Sequence, residues 1–156
     1  PYITELTVPV LGPDRSRWLY PIRSVMDTGA LVVGGSDWSV SSMNPLLAMQ
    51  VAVTRRKADL GPGPAWLPDQ TVEIEPILAA YTKAAAHAAR REAEIGTVEV
   101  GKRADLVVLD GNPVSSPVYE IHEIAVRATL VDGAVVYGSL DGRDRGIHSR
   151  GRTSTQ

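Results

Sequence analysis

There is no cysteine among the 156 residues. Disulfides and thiolate metal sites are therefore excluded. A lack of cysteine suits both cytosol and export; the cytoplasm is the expected setting. Phenylalanine is absent too, and aromatic residues make up only 5% of the chain. The core must come from Val, Leu, Ile and Ala, which suits strands buried on both faces of a parallel sheet. No apolar run approaches the roughly 20 residues that span a bilayer, so no membrane is expected as a partner. No basic-then-apolar leader stands at the start, and the first residue is Pro1 rather than Met, which leaves the natural start open. Positive charge is not in excess either. The net charge is -2, and nothing favours nucleic acid as a partner.

What remains is an ordinary globular composition, 44% hydrophobic and 22% charged. Residues 2–10, "YITELTVPV", are β-prone and broken by Pro9. "SRWLYPIRSVMDTG" reads as helical turns interrupted at Pro21, then a helix closed by Gly29 as its C′ residue. "ALVVGGS" has no alternation and reads as a short strand. Asn44-Pro45 opens the next helix as N-cap and N1. Arg55 and Arg56 at its far end suit the helix dipole. "KADLGPGPAWLPDQ" is loop, and "TVEIEPILAAYTKAAAHAARREAE" is the best helix, with Ile77, Leu78, Tyr81, Ala84, Ala85 and Ala88 on one stripe.

Beyond Gly96 the pattern changes. "GTVEVGKRADLVVLDGNP" predicts two short strands around a Gly101 turn. "EIAVRATLVDGAVVYG" predicts a hairpin with Asp132-Gly133 as a type I′ turn. "GTVEVGKR" nearly matches a phosphate-binding loop, but Arg103 stands where a magnesium-binding Ser or Thr would be and no helix follows. Lys102 and Arg103 are better read as solvated flanks of the turn. From Ser139 the tail is charged and nearly free of apolar residues, and a mobile segment is expected.

"LVVGGSDWSV" is the stretch that asks for chemistry. An apolar run ends in two glycines and then delivers a carboxylate, Asp37. Such an aspartate can be a helix cap or turn former, or it can be a reactive group.

Four pieces together resemble the C-terminal third of the amidohydrolase superfamily: "YPIRSVMDTGALVVGGSDWSV", "NPLLAMQVAVTRR", "AAYTKAAAHAARREAEIGTVEVGKRADLVVLD" and "VRATLVDGAVVYG". "GSDW" and "AVTRR" point to amidohydrolase family 3, whose members resemble N-substituted formamide deformylases. The resemblance implies an α/β fold: the C-terminal part of a (β/α)8 metal-dependent hydrolase barrel, with its last strands and helices, plus the C-terminal strands of a small composite β-sandwich. Residues 1–95 fall to the barrel, 96–138 to the sandwich and 139–156 to a flexible tail. Residues 1–10 then match the end of barrel strand seven and residues 31–36 strand eight. About six of the eight strands of a closed barrel would be missing.

In that family the aspartate after strand eight ligates a divalent metal, commonly zinc, and takes a proton from the attacking water. The resemblance therefore assigns Asp37 both roles. It also brings Arg23 and Trp38 toward the barrel rim. Arg23 contacts substrate there or forms a surface salt bridge. Trp38 walls the pocket or packs beneath its loop. The family's His-x-His pair and further ligands lie on earlier strands, and His87, His122 and His148 follow no strand end. The chain alone is expected to hold no metal and to be inactive. The parent is expected to hydrolyse the carbon–nitrogen bond of a small amide-type molecule. The alternative is a non-catalytic structural or binding module of the same fold. Apolar faces at Val32, Val33, Leu46, Leu47 and Val51 are expected to be open, so the remaining barrel segment or further copies of the chain are expected as partners.

Overall fold

The computed structural model describes residues 3–141; the tail expectation, and with it His148, falls almost wholly outside them. Among the described residues six α-helices come first and three strands follow. The helices are α1 (Val8–Leu11), α2 (Pro13–Ser16), α3 (Ile22–Asp27), α4 (Pro45–Thr54), α5 (Ile74–Tyr81) and α6 (Lys83–Ala88). The strands are β1 (Leu106–Leu109), β2 (Val126–Val131) and β3 (Ala134–Gly138). They form one antiparallel sheet in the order β1-β2-β3.

α4 starts where its sequence says it should. The Asn44 side chain accepts a hydrogen bond from the Leu46 N–H at 3.0 Å, with Pro45 in the first turn. A neutral cap of this kind contributes about 1 kcal/mol. α3 is followed by Gly29 at φ 81°, its N–H bonded to the Met26 carbonyl. The core lies between α4, α5 and a 3-10 turn at Ile121–Glu123. Leu46, Met49, Ile74 and Ile77 are buried there, and Ile121 is 0% exposed. Each large aliphatic side chain buried in this way contributes about 1.5–3 kcal/mol.

The sheet follows its sequence pattern. Asp132 and Gly133 sit at φ 52° and 81°, the left-handed pair that a type I′ turn requires. Leu106–Leu109 pairs with β2, and the hairpin supplies β3.

The structure departs from the sequence expectations in several places. Residues 3–7 form a π-helical turn and Val8–Leu11 a short α-helix, where a strand is predicted for 2–10. With no neighbouring strand, the backbone there satisfies its polar groups locally, and Pro9 is tolerated in a first helical turn. Residues 31–36 are extended but belong to no sheet, for the same lack of a neighbour. The long helix is two, broken at Thr82 (φ −121°, ψ −95°), whose hydroxyl takes the Leu78 carbonyl at 2.9 Å. A hydroxyl bonded to a carbonyl four residues back competes with the helix ladder. The segment before Gly101 is a turn rather than a strand, and Lys102 is not a solvated flank. Its amine reaches the Glu92 carbonyl (2.7 Å) and the Thr97 hydroxyl (2.6 Å).

The apolar face of α4 is also less open than expected. Leu46 is 4% exposed because α5 and the Ile121 turn cover it, and Leu47 and Val51 are half-buried. Val33 is 43% exposed and Val32 half-buried, so the open face lies along residues 31–33.

Candidate functional site

Asp37 stands at the end of the extended segment. Exposed and half-buried residues alternate from Leu31 to Ser36, the period of a strand even without a ladder. Among the described residues, 31–35 make a single backbone hydrogen bond, from the Gly34 N–H to the Ala80 carbonyl at 3.0 Å. Asp37 then takes a left-handed conformation, φ 49°. Its carbonyl accepts from the Val40 N–H at 2.7 Å, and the Ser41 hydroxyl bonds the Ser36 carbonyl. The result is a tight turn that leaves the Asp37 carboxylate exposed to solvent.

Trp38 is adjacent and 65% exposed. Its ring is largely in solvent and does not pack beneath the loop. Arg23 is elsewhere, on α3, with its Nε 2.8 Å from the Asp27 carboxylate one turn on. An exposed pair of this spacing contributes only about 0.3–0.5 kcal/mol. No hydrogen bond joins it to Asp37 among the described residues.

The described residues offer Asp37 no metal-ligating company. Among the described residues no three of His, Cys, Asp or Glu come together in a way that could hold a metal ion. His87 pairs with Glu92 at 3.1 Å on the surface. His122 is bound to Gln50, whose Oε1 accepts from the His122 N–H (3.0 Å) and stands 2.8 Å from its Nδ1. Gln50 is fully buried, and its amide also donates to the Ala58 carbonyl.

A cavity of about 660 Å³ opens between the extended segment, α4 and α5. Val32, Val33, Ala48, Val51, Ile77 and Tyr81 line much of it. Arg55 lies along its edge, with its backbone N–H on the Val51 carbonyl of α4 and its side chain turned to other carbonyls. It is the left-handed C-cap residue itself (φ 51°). Its guanidinium donates to the carbonyls of Trp66, Tyr20 and Leu19, each at 3.3 Å, and lies over the Trp66 ring. Burial draws its pKa below the ordinary arginine value, with Tyr20 opposing. Arg56 likewise holds a loop, donating to the carbonyls of Gly61 (2.8 Å) and Pro64 (2.6 Å). Both latch the loop 57–68 to the rest of the chain. Their tandem placement at a helix end reads as dipole chemistry in sequence, and only the fold reveals the carbonyls they reach.

The sequence profile described as the amidohydrolase family matches residues 1–137. An N-substituted formamide deformylase from Arthrobacter pascens is 39% identical over 119 residues, 76% of this chain and 21% of that protein. A putative amidohydrolase, YtcJ, from Bacillus subtilis is 28% identical over 127 residues, 81% of this chain and 24% of that protein. The solved structure of an amidohydrolase from Thermotoga maritima superposes with a TM-score of 0.53 at 22% identity, over 76% of this chain and 26% of the other. The chain thus spans between a fifth and a quarter of the length of these two curated relatives.

Proposed function

The chain belongs to the amidohydrolase family, and from that membership we propose that it is part of a hydrolase cleaving a carbon–nitrogen bond other than a peptide bond, with Asp37 as its general base. The observation that carries this reading is the exposed Asp37 carboxylate, displayed by a tight turn at the end of an extended segment, in a chain 39% identical to a formamide deformylase. In the proposed reaction Asp37 accepts a proton from water as its oxygen adds to the amide-type carbon. The carbon–nitrogen bond then breaks, and the nitrogen leaves as an amine after taking up a proton. A positioned general base of this kind is worth about 10²–10⁴ in rate. Trp38 walls the site against an apolar nitrogen substituent. Arg23 reaches substrate only by leaving Asp27, so its role is the lesser one.

A divalent metal, zinc by family resemblance, goes with the whole protein in this reading. The residues present do not fit it by themselves, since Asp37 is one donor and a catalytic zinc takes about three protein ligands. The chemistry assigned to this chain is that of the carboxylate alone. Dialysed against zinc, the 156-residue chain is expected to retain no stoichiometric metal, measured by atomic emission. A zinc held by Asp37 and three other groups of the same chain contradicts this placement.

The same proposal places residues 1–95 in the C-terminal part of a (β/α)8 barrel and residues 96–138 in a small β-sandwich. Residues 31–36 gain their ladder from strands outside the chain. The proposed substrate is a small amide-type molecule, and the structural partner is the remainder of the barrel.

The test uses the whole protein with N-butylformamide as a probe of the formamide class and reads amine release. Asp37→Asn keeps the shape and removes the basicity. Turnover close to that of the unaltered protein in this variant eliminates Asp37 as the base. Failure of the unaltered protein to release amine from any simple amide, imide or formamide favours the non-catalytic module.

A further inference from the structure

Gly34 does not need to be glycine for its backbone shape, because it is not among the residues at positive φ. It needs to be glycine because of Tyr81. A Cβ placed on Gly34 would fall among the ring atoms of that half-buried tyrosine. Beside this contact runs the lone backbone hydrogen bond of residues 31–35, from Gly34 to Ala80. Both contacts land on the last turn of α5, which is anchored in the core through Ile74 and Ile77. Three residues onward comes the turn that shows Asp37, closed by the Val40 and Ser41 hydrogen bonds. The carboxylate is thus held between an upstream clamp and a downstream turn.

We propose that Gly34 and Tyr81 are a positioning pair for Asp37, with the tyrosine ring as the stop that sets how closely the extended segment lies on α5. This rests on Asp37 being the base. Each extended residue advances the chain by about 3.3 Å, so Asp37 lies roughly 10 Å beyond the clamp. A methyl group at position 34 must push the ring or the segment aside by on the order of 1 Å, and a misplacement of that size costs about 10²-fold in rate. The tyrosine hydroxyl has no part in the contact; the flat ring does.

The experiment compares Gly34→Ala, Tyr81→Phe, Tyr81→Ala and the double variant Gly34→Ala/Tyr81→Ala in the whole protein. It reads turnover of N-butylformamide, KM, and the position of residues 36–40 in crystal structures of each. Gly34→Ala is expected to lower kcat about 30- to 100-fold with KM within about threefold, since misplacement acts on the reacting geometry more than on binding. Tyr81→Phe is expected to match the unaltered protein. The double variant, with room for the methyl, is expected to recover about tenfold over Gly34→Ala, a non-additivity reserved for groups in contact. The turn is displaced in the single variant and restored in the double. Gly34→Ala within twofold of the unaltered protein, with its turn undisplaced, overturns the proposal, and so does a double variant without recovery. If Gly34→Ala does not fold, Tyr81→Ala decides: a kcat lower by about tenfold with a displaced turn supports the pair, as a removed stop should, and unchanged kcat and turn overturn it. If Asp37→Asn retains activity, or the probe is not turned over, the base assignment fails separately and turn displacement alone judges the pair.

Discussion

β2 lies between two neighbours that come from its own chain. β3 reaches it through the two-residue turn at Asp132-Gly133, and β1 arrives from the other side. Residues 31–36 begin with an apolar run of their own at 31–33, but among the described residues they join no strand, and only Gly34 finds a backbone partner. The difference does not lie in local propensity. A helix satisfies its own backbone, so α4 forms with its cap and its core contacts whatever else is present. A strand is completed by another strand, and its stability is a property of the pair. The sheet at 106–138 is completed within the described residues and the segment beside Asp37 is not; on the proposed reading its neighbours are barrel strands of the whole protein. Leu31 and Val33 stay exposed on that account.

The largest expected effect separates two aspartates of like backbone conformation. Asp37 and Asp132 both take positive φ, at 49° and 52°. In the whole protein Asp37→Asn is expected to lower turnover about 10²–10⁴-fold. Asp132→Asn is expected to leave turnover unchanged, because asparagine suits a type I′ turn equally well. Equal effects in an amine-release assay break the contrast between an aspartate that reacts and one that turns the chain.

Much of this fold was legible in the sequence, and the limit has a physical cause. Asn44-Pro45, Gly29 and Asp132-Gly133 each carry a local signal, since capping and turn geometry depend on a few adjacent residues. The strands that the sequence predicts at 2–10 and 31–36 find no partner among the described residues, and a strand depends on its neighbour as much as on its own residues. The Thr82 break was missed because alanine-rich surroundings favour helix on both sides of it. At the candidate site, Asp37 was visible as a carboxylate after Gly-Gly. Gln50, Arg55 and the contact of Tyr81 with Gly34 were not, because each takes its meaning from residues distant in sequence.

A smaller effect sharpens the comparison from the helical side. Gln50 ties α4 to the turn that precedes β2, through His122. Gln50→Leu keeps the bulk and leaves the buried Ala58 carbonyl and the half-buried groups of His122 unpaired, at about 1–3 kcal/mol for each unsatisfied buried group. A urea midpoint lowered to match a loss of about 2–3 kcal/mol is expected. An unchanged midpoint means that the helical region and the sheet are not joined there. Smaller still is Asn44→Ala, expected to cost about 1 kcal/mol through the lost cap of α4. The same urea titration reads it, and no loss means that the cap is dispensable.

Self-association belongs to the same comparison, because an unpaired segment with exposed Leu31 and Val33 recruits a partner. Light scattering across a dilution series is expected to show mass above that of one chain at micromolar concentration. A compact monomer that unfolds cooperatively at that concentration contradicts it.

Hydrogen exchange of the backbone amides, read at residue resolution on the dilute chain and again on the whole protein, tests the contrast most directly. In the dilute chain the amides of Leu31, Val32, Val33 and Gly35 are expected to exchange almost as fast as in an unfolded peptide, with Gly34 slower and the amides of β2 that bond across the ladder protected. In the whole protein residues 31–35 are expected to gain protection comparable to that of β2. Strong protection of 31–35 already present in the dilute, monomeric chain, or its absence in the whole protein, contradicts the placement of this segment as a strand that lacks only its neighbours.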